Sequence, residues 1–307
     1  MKRIIIDCDP GQDDAIAITL AENNNDKLYI EGIVTVGGNN NIEHITNNAQ
    51  VLLQILKSKN KLIKGSKTSL LNKIFPQEVH GKTGMDGISN IPIINYPIAE
   101  ISFMEFYKKI IENNKITIVA IGPLTNIALL IKSYPDIIKN IEEIVFMGGS
   151  LNGGNITDYA EFNIFVDPEA AKIVFESGIK LTMFGLDVTE HSYLLEEEYY
   201  TFSKGNYLAK SIYELLYCYH NNGKKYGYNK CSLHDACAIV YLLNPDIFEF
   251  EEKNIEVSLS GITRGMTLEN KNNRNKYNIK FAKNVNRLKF KELIINNILE
   301  IDRKIYD

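Results

Sequence analysis

Residues 4–18 read IIIDCDPGQDDAIAI and set four carboxylates, Asp7, Asp9, Asp13 and Asp14, between two apolar runs. Carboxylates packed together repel one another and resist leaving water, so this stretch calls for a positive partner. A metal ion is the first candidate. Oxygen-only ligands favour a hard cation such as calcium or magnesium over zinc. Helix capping by Asp13 or Asp14 would explain one or two of the acids. It leaves Asp7 and Asp9, at the end of a strand-like run, without a reason.

The elements that would position these groups follow from periodicity. KRIIIDC is a short continuous apolar run, expected of a strand covered on both faces and ending at Cys8. Pro10-Gly11 makes a turn, and DDAIAITLAENN has apolar residues at helical spacing. Strands are expected at LYIEGIVTVGG, KLIKG, KITIVAIG, IEEIVFMGG, KLTMFGLDV and IEVSLSG. Helices are expected at IEHITNNAQVLLQILKS, SFMEFYKKIIENN, LTNIALLIKSY, DPEAAKIVFESG, YLAKSIYELLYCYHNNGKK, LHDACAIVYLLN and RLKFKELIINNILEIDRK. In DPEAAKIVFESG, Asp167 is placed to cap and Pro168 to fill the first helical position. Alternating strands and helices imply an α/β fold with a mainly parallel open sheet flanked by helices. Its ligand site belongs at the carboxyl ends of the strands, beside a switch point. With no internal repeat, long linker or composition break, residues 1–307 read as one domain.

Composition narrows the function. The chain is 45% hydrophobic and 23% charged, ordinary for a globular protein, with a formal charge of −4. No basic patch alternates with aromatics, which argues against a nucleic-acid partner. The start carries no signal-peptide pattern and no segment is apolar enough to span a bilayer, so no membrane partner is expected. The four cysteines, Cys8, Cys218, Cys231 and Cys237, form no CxxC pair. A reducing cytoplasm is their expected home.

A strand followed by DxD also resembles the start of haloacid-dehalogenase-type phosphatases, which use magnesium. That motif wants a hydroxyl residue soon after the second aspartate, whereas here Pro10-Gly11 and two more acids follow. A non-catalytic nucleoside- or ribose-binding protein is a third reading.

The fuller pattern resembles the nucleoside hydrolase family, of the inosine-uridine-preferring type. DCDPGQDDA at 7–15 carries the resemblance, with Gly38-Asn39, His80-Gly81, GPLTNIA at 122–128, MGGS at 147–150, GGNITDYAEFNIFVDPEAA at 153–171 and HDACA at 234–238 in the family's order. The resemblance implies a Rossmann-like core and a calcium-dependent N-ribohydrolase, with water replacing the base of a ribonucleoside. It places calcium on Asp9, Asp14, the main-chain carbonyl of Ile121 and Asp235. Asp13 becomes the general base, and Asp7 sits behind the ligands.

The same resemblance assigns sugar contacts to Asn39, Asn155, Glu161 and Asn163, with apolar packing from Met147 and Phe162. Any one asparagine of this Asn-rich chain would otherwise be read as a turn residue. His234 is expected to protonate or hydrogen-bond the departing base, a task suited to an unperturbed pKa of about 6.5. His80 is expected on a loop over the pocket, and Tyr226 and Tyr228 against the base. The family's purine-specific branch sandwiches the base between tryptophans, and this chain has no Trp. Uridine-like substrates with some purine tolerance are therefore expected, in purine or pyrimidine salvage, in a homodimer or homotetramer.

Overall fold

The computed structural model describes residues 1–71, 81–273 and 278–307. The strands are β1 (Lys2–Cys8), β2 (Leu28–Thr35), β3 (Leu62–Lys64), β4 (Ile116–Ala120), β5 (Ile141–Met147), β6 (Leu181–Phe184), β7 (Tyr193–Leu194), β8 (Cys231–Ser232), β9 (Phe248–Lys253), β10 (Ile255–Val257), β11 (Thr267–Glu269) and β12 (Ile279–Val285). The α-helices are α1 (Gln12–Asn23), α2 (Ile42–Ile55), α3 (Phe103–Asn113), α4 (Thr125–Ser133), α5 (Phe162–Val166), α6 (Pro168–Phe175), α7 (Leu186–Thr189), α8 (Glu196–Tyr199), α9 (Tyr207–Lys224), α10 (Ala236–Leu243) and α11 (Arg287–Tyr306).

Eight strands form one sheet in the order β3-β2-β1-β4-β5-β6-β12-β9. Every pairing in it is parallel except that of β9 with β12. The α/β expectation is met. Period-two alternation splits β1 between two cores. Ile4, Ile6 and Cys8 pack with residues of α1, α2, α10 and α11, whereas Ile5 packs with residues of α3, α4 and α6. Each buried isoleucine contributes roughly 1.5–3 kcal/mol. Asp7 shares the face of Ile5, so its side chain points away from Cys8 towards α3 and α4.

The chain leaves β1 for β2 and β3 on one side, then returns to β4 on the other. The crevice between the carboxyl ends of β1 and β4 is thus the switch point where such sheets take ligands. Asp9 follows β1 and Ile121 follows β4, and the Ile121 N–H donates to the Asp7 carbonyl at 2.8 Å.

Several boundaries differ from expectation. The strand in KLTMFGLDV stops at Phe184, because Gly185 caps the short helix α7. The helix in LHDACAIVYLLN starts at Ala236, leaving His234 and Asp235 in the turn before it. Strands β9 and β12 were not expected. Their residues FEFEEK and IKFAKNV carry charges among the apolar positions, as befits a sheet margin exposed on one side. Asp167 does accept from the Ala170 N–H at 3.1 Å, with Pro168 in the first turn.

Candidate active site

Gly11 precedes α1 in extended conformation, and its N–H donates to Asp14 Oδ2 at 2.9 Å while the Asp9 N–H reaches Asp14 Oδ1 at 3.2 Å. Asp14 therefore does close the helix N-terminus, as the capping reading required. It also belongs to a group in which one carboxylate oxygen each from Asp13, Asp14 and Asp235 lie within 4.8 Å of one another, all buried. A cap needs one acid, and the helix dipole favours one or two more. Neither accounts for Asp235, which arrives from the turn before α10.

Asp9 stands beside this trio. Its Oδ2 accepts the Asn39 N–H at 2.7 Å, and its carbonyl accepts Asn39 Nδ2 at 3.0 Å. Two glycines press on its carboxylate: a Cβ at Gly38 would lie 2.0 Å from Oδ2, and one at Gly122 would lie 2.7 Å from Oδ1. Main chain alone can approach that closely.

Burial pushes the acids up: Asp13 to about 7, Asp14 to about 6, and Asp9 and Asp235 well above the usual carboxylate range. The Asp14 charge adds to the effect on Asp9 and Asp13, and the Asp13 charge to that on Asp235. Among the described residues, none of these carboxylates is in an ion pair with Lys, Arg or His. A set of buried oxygen donors that would otherwise hold protons fits a hard divalent cation.

Asp7 lies one layer behind. Tyr107 Oη and Asn126 Nδ2, the latter at 2.8 Å, donate to its Oδ2. Among the described residues its Oδ1 has no hydrogen-bond partner. Burial raises its pKa to about 7 against those two donors. Asn126 also donates to the Thr35 carbonyl at 3.1 Å, so Asp7 ties β1, β2, α3 and α4 together beneath the acids.

Above the acids opens a cavity of about 410 Å³. Its lining includes Asp9, Asp13, Asn39, Ile121, Met147, Asn155, Glu161, Phe162, Asn163, Tyr226, Tyr228, His234 and Asp235. Of the remaining expected residues, Asp14 lies under the floor, Asp7 lies behind it, and His80 falls outside the described residues. Glu161 caps α5, accepting from the Gly149 N–H at 2.8 Å, Asn163 N–H at 2.8 Å and Ile164 N–H at 3.1 Å. Burial nonetheless raises its pKa to about 7. Asn163 Nδ2 donates to the carbonyls of Ile121 and Met147, each at 3.2 Å, and Asn155 Oδ1 accepts the Phe162 N–H at 2.9 Å.

His234 departs from the expectation of an ordinary pKa. Desolvation by burial lowers it to about 4. Its Nδ1 lies 2.7 Å from Thr189 Oγ1. Sequence reading also missed Ile156, Leu186, Glu190, Tyr219, Gly223, Lys230 and Ser232 in the lining. Tyr219 and Gly223 could have been found, since one helical turn separates them and the next leads to Tyr226. Glu190 and Lys230 carry no comparable signal.

The sequence profile of the family described as inosine-uridine preferring nucleoside hydrolase matches residues 4–292. The pyrimidine-specific ribonucleoside hydrolase RihA of Enterobacter sp. (strain 638) is 37% identical over 273 residues, covering 86% of this chain and 87% of that protein. The protein of the same name from Shewanella baltica (strain OS155) is 39% identical over 275 residues, covering 87% of this chain and 86% of that one. Among solved structures, the purine-preferring ribonucleoside hydrolase from Gardnerella vaginalis superposes with a TM-score of 0.92 at 28% identity, covering 99% of this chain and 100% of that one. The plant nucleoside hydrolase PpNRh1 gives 0.90 at 28% identity, covering 97% and 99%.

Proposed function

The chain belongs to the inosine-uridine preferring nucleoside hydrolase family, and from that premise we propose how its own residues carry out the reaction. It is a ribonucleoside N-ribohydrolase; the phosphatase-like and non-catalytic readings have nothing further to explain. The observation that carries the residue assignment is the convergence of Asp9, Asp13, Ile121, His234 and Asp235 on the lining of one cavity.

Hydrolysis forms a bond from water oxygen to the anomeric carbon and breaks the bond from that carbon to the base nitrogen, through an oxocarbenium-like sugar. Asp13 takes the proton from water. A neighbouring cation would pull its pKa below the value of about 7 and keep it ionised. His234 acts as a hydrogen-bond donor to the leaving nitrogen, and the released base takes its proton from solvent. Asn39, Asn155, Glu161 and Asn163 bind the ribose hydroxyls, and Met147 and Phe162 enclose the ring. Tyr226, Tyr228 and His80 contact the base.

Calcium is the ion we assign, held by Asp9, Asp14, the Ile121 carbonyl and Asp235. When bound, a divalent cation polarises water and orients the sugar diol. The cluster of Asp13, Asp14 and Asp235 within 4.8 Å supports an oxygen-rich cation site at this position.

For the base, the relatives named pyrimidine-specific and the absence of Trp together support uridine above inosine. We also propose one domain over 1–307, a homodimer or homotetramer, a cytoplasmic setting and a salvage role. The four cysteines are all free, and among the described residues no helix is long and apolar enough to cross a membrane. Incubation with a nucleoside panel and calcium, followed by chromatography for free base, tests the substrate reading. Faster release from uridine than from inosine is expected; release only from purine nucleosides would overturn it.

A further inference from the structure

We propose that Thr189 is a positioning residue for His234: its hydroxyl donates to Nδ1 and holds the ring in the tautomer that carries hydrogen on Nε2. The proposal rests on the reading above, in which His234 serves the departing base.

Thr189 is fully buried, and its Oγ1 lies 2.7 Å from His234 Nδ1. It closes α7, a helix of a single turn pinned from outside. The Leu186 N–H donates to the Gly149 carbonyl at 2.9 Å. Asp187 accepts from the Leu151 N–H at 2.9 Å and from Asn152 Nδ2 at 2.6 Å. Just beyond α7, the Ser192 carbonyl accepts the N–H of Leu233, the residue before His234, at 2.8 Å. Hydroxyl and ring are therefore set against each other by main-chain bonds on both sides, and their contact does not depend on a flexible side chain finding a partner.

A neutral imidazole has one N–H, and the partner of one nitrogen decides what the other can offer. If Thr189 donates to Nδ1, Nε2 keeps its hydrogen and can donate to the leaving base nitrogen as negative charge grows there. If Nδ1 instead donated to Thr189, Nε2 would present only a lone pair to an electron-rich atom. The first arrangement assists the reaction and the second opposes it. A hydroxyl can take either role, and it is the donor role of Thr189 that gives a working ring.

The test combines nitrogen NMR of histidine-labelled protein with kinetics on uridine and on 4-nitrophenyl riboside, whose leaving group needs no donor. His234 of the unsubstituted protein should show hydrogen on Nε2; hydrogen on Nδ1 would overturn the proposal, whether or not any variant folds. Thr189→Val should lower kcat for uridine roughly tenfold, the worth of one well-made hydrogen bond, with KM little changed. The loss on 4-nitrophenyl riboside should be much smaller, and Thr189→Ser should restore the uridine rate. Equal losses on both substrates would mean that Thr189 merely supports the fold. Loss in His234→Ala without loss in Thr189→Val would overturn this inference alone, whereas full uridine activity in His234→Ala would remove the role given to the histidine itself.

Discussion

Asp13 and Asp235 stand 222 positions apart in the sequence (235 − 13), yet a carboxylate oxygen of each lies within 4.8 Å of the other, with Asp14 beside them. Like charges that close, and that deeply buried, are tolerable only if protons or a cation sit between them.

Stability should depend on pH in a direction that a bound ion changes. Burial pushes Asp7, Asp13 and Glu161 up to about 7 and Asp14 up to about 6. A carboxyl with a higher pKa folded than unfolded binds more protons in the folded state. Its contribution is most favourable in acid and is lost as pH rises from about 4, the unfolded value, to about 7. Chelated protein should therefore melt lower near pH 7.5 than near pH 5.5. Calcium at 100 times its Kd adds about 2.7 kcal/mol, on the order of 5 °C for a chain of this size; at one fixed calcium concentration the gain should be larger near neutral pH, where protons compete less for the acids. Scanning calorimetry at the two pH values checks this, and a calcium gain confined to the acidic sample would contradict it.

Asp13→Asn should lower kcat by about 10²–10⁴-fold, the usual worth of a positioned general base. Ribose affinity, measured by calorimetric titration, should stay within a few-fold of the unsubstituted protein. Unchanged turnover would assign the proton to another group.

Tyr107→Phe removes one of the two donors to Asp7 Oδ2 and leaves a fully buried carboxyl with Asn126 alone. A loss of about 1–3 kcal/mol is expected, read from the denaturation midpoint. An unchanged midpoint would show that Asp7 does not depend on that hydroxyl.

Gly38→Ala tests the close approach to Asp9, since the new Cβ would sit 2.0 Å from Oδ2 and 2.8 Å from Pro123 Cδ. The carboxylate must swing away. Calcium affinity should fall at least tenfold while circular dichroism retains the native helix content; native affinity would show that Asp9 can move without leaving the ion.

Much of this was readable beforehand, for physical reasons that differ by residue. β1 and α1 carry their own periodicity, so the crowding of Asp9, Asp13 and Asp14 was visible locally. The carboxyl-edge location follows from parallel topology. Asp235 came only through the resemblance, because nothing local in LHDACA announces a partner at the far end of the chain. The contact of Asp7 with Tyr107, the pressure of Gly38 on Asp9 and the bond from Thr189 to His234 all join distant segments, and no periodic pattern encodes them. The helical turn in GLDV was hidden by apolar residues that suit a strand equally well. The lowered pKa of His234 comes from desolvation in the folded chain, absent from any reading of residue type. His80 lies outside the described residues.

The most direct measurement is uridine hydrolysis by protein stripped of metal, then supplied with calcium. Free uracil and ribose should form only after calcium is added, and the same calcium addition should fail to restore activity in Asp9→Ala and Asp235→Ala. Full activity in the stripped protein would show that the buried acids work without a cation and would contradict the account.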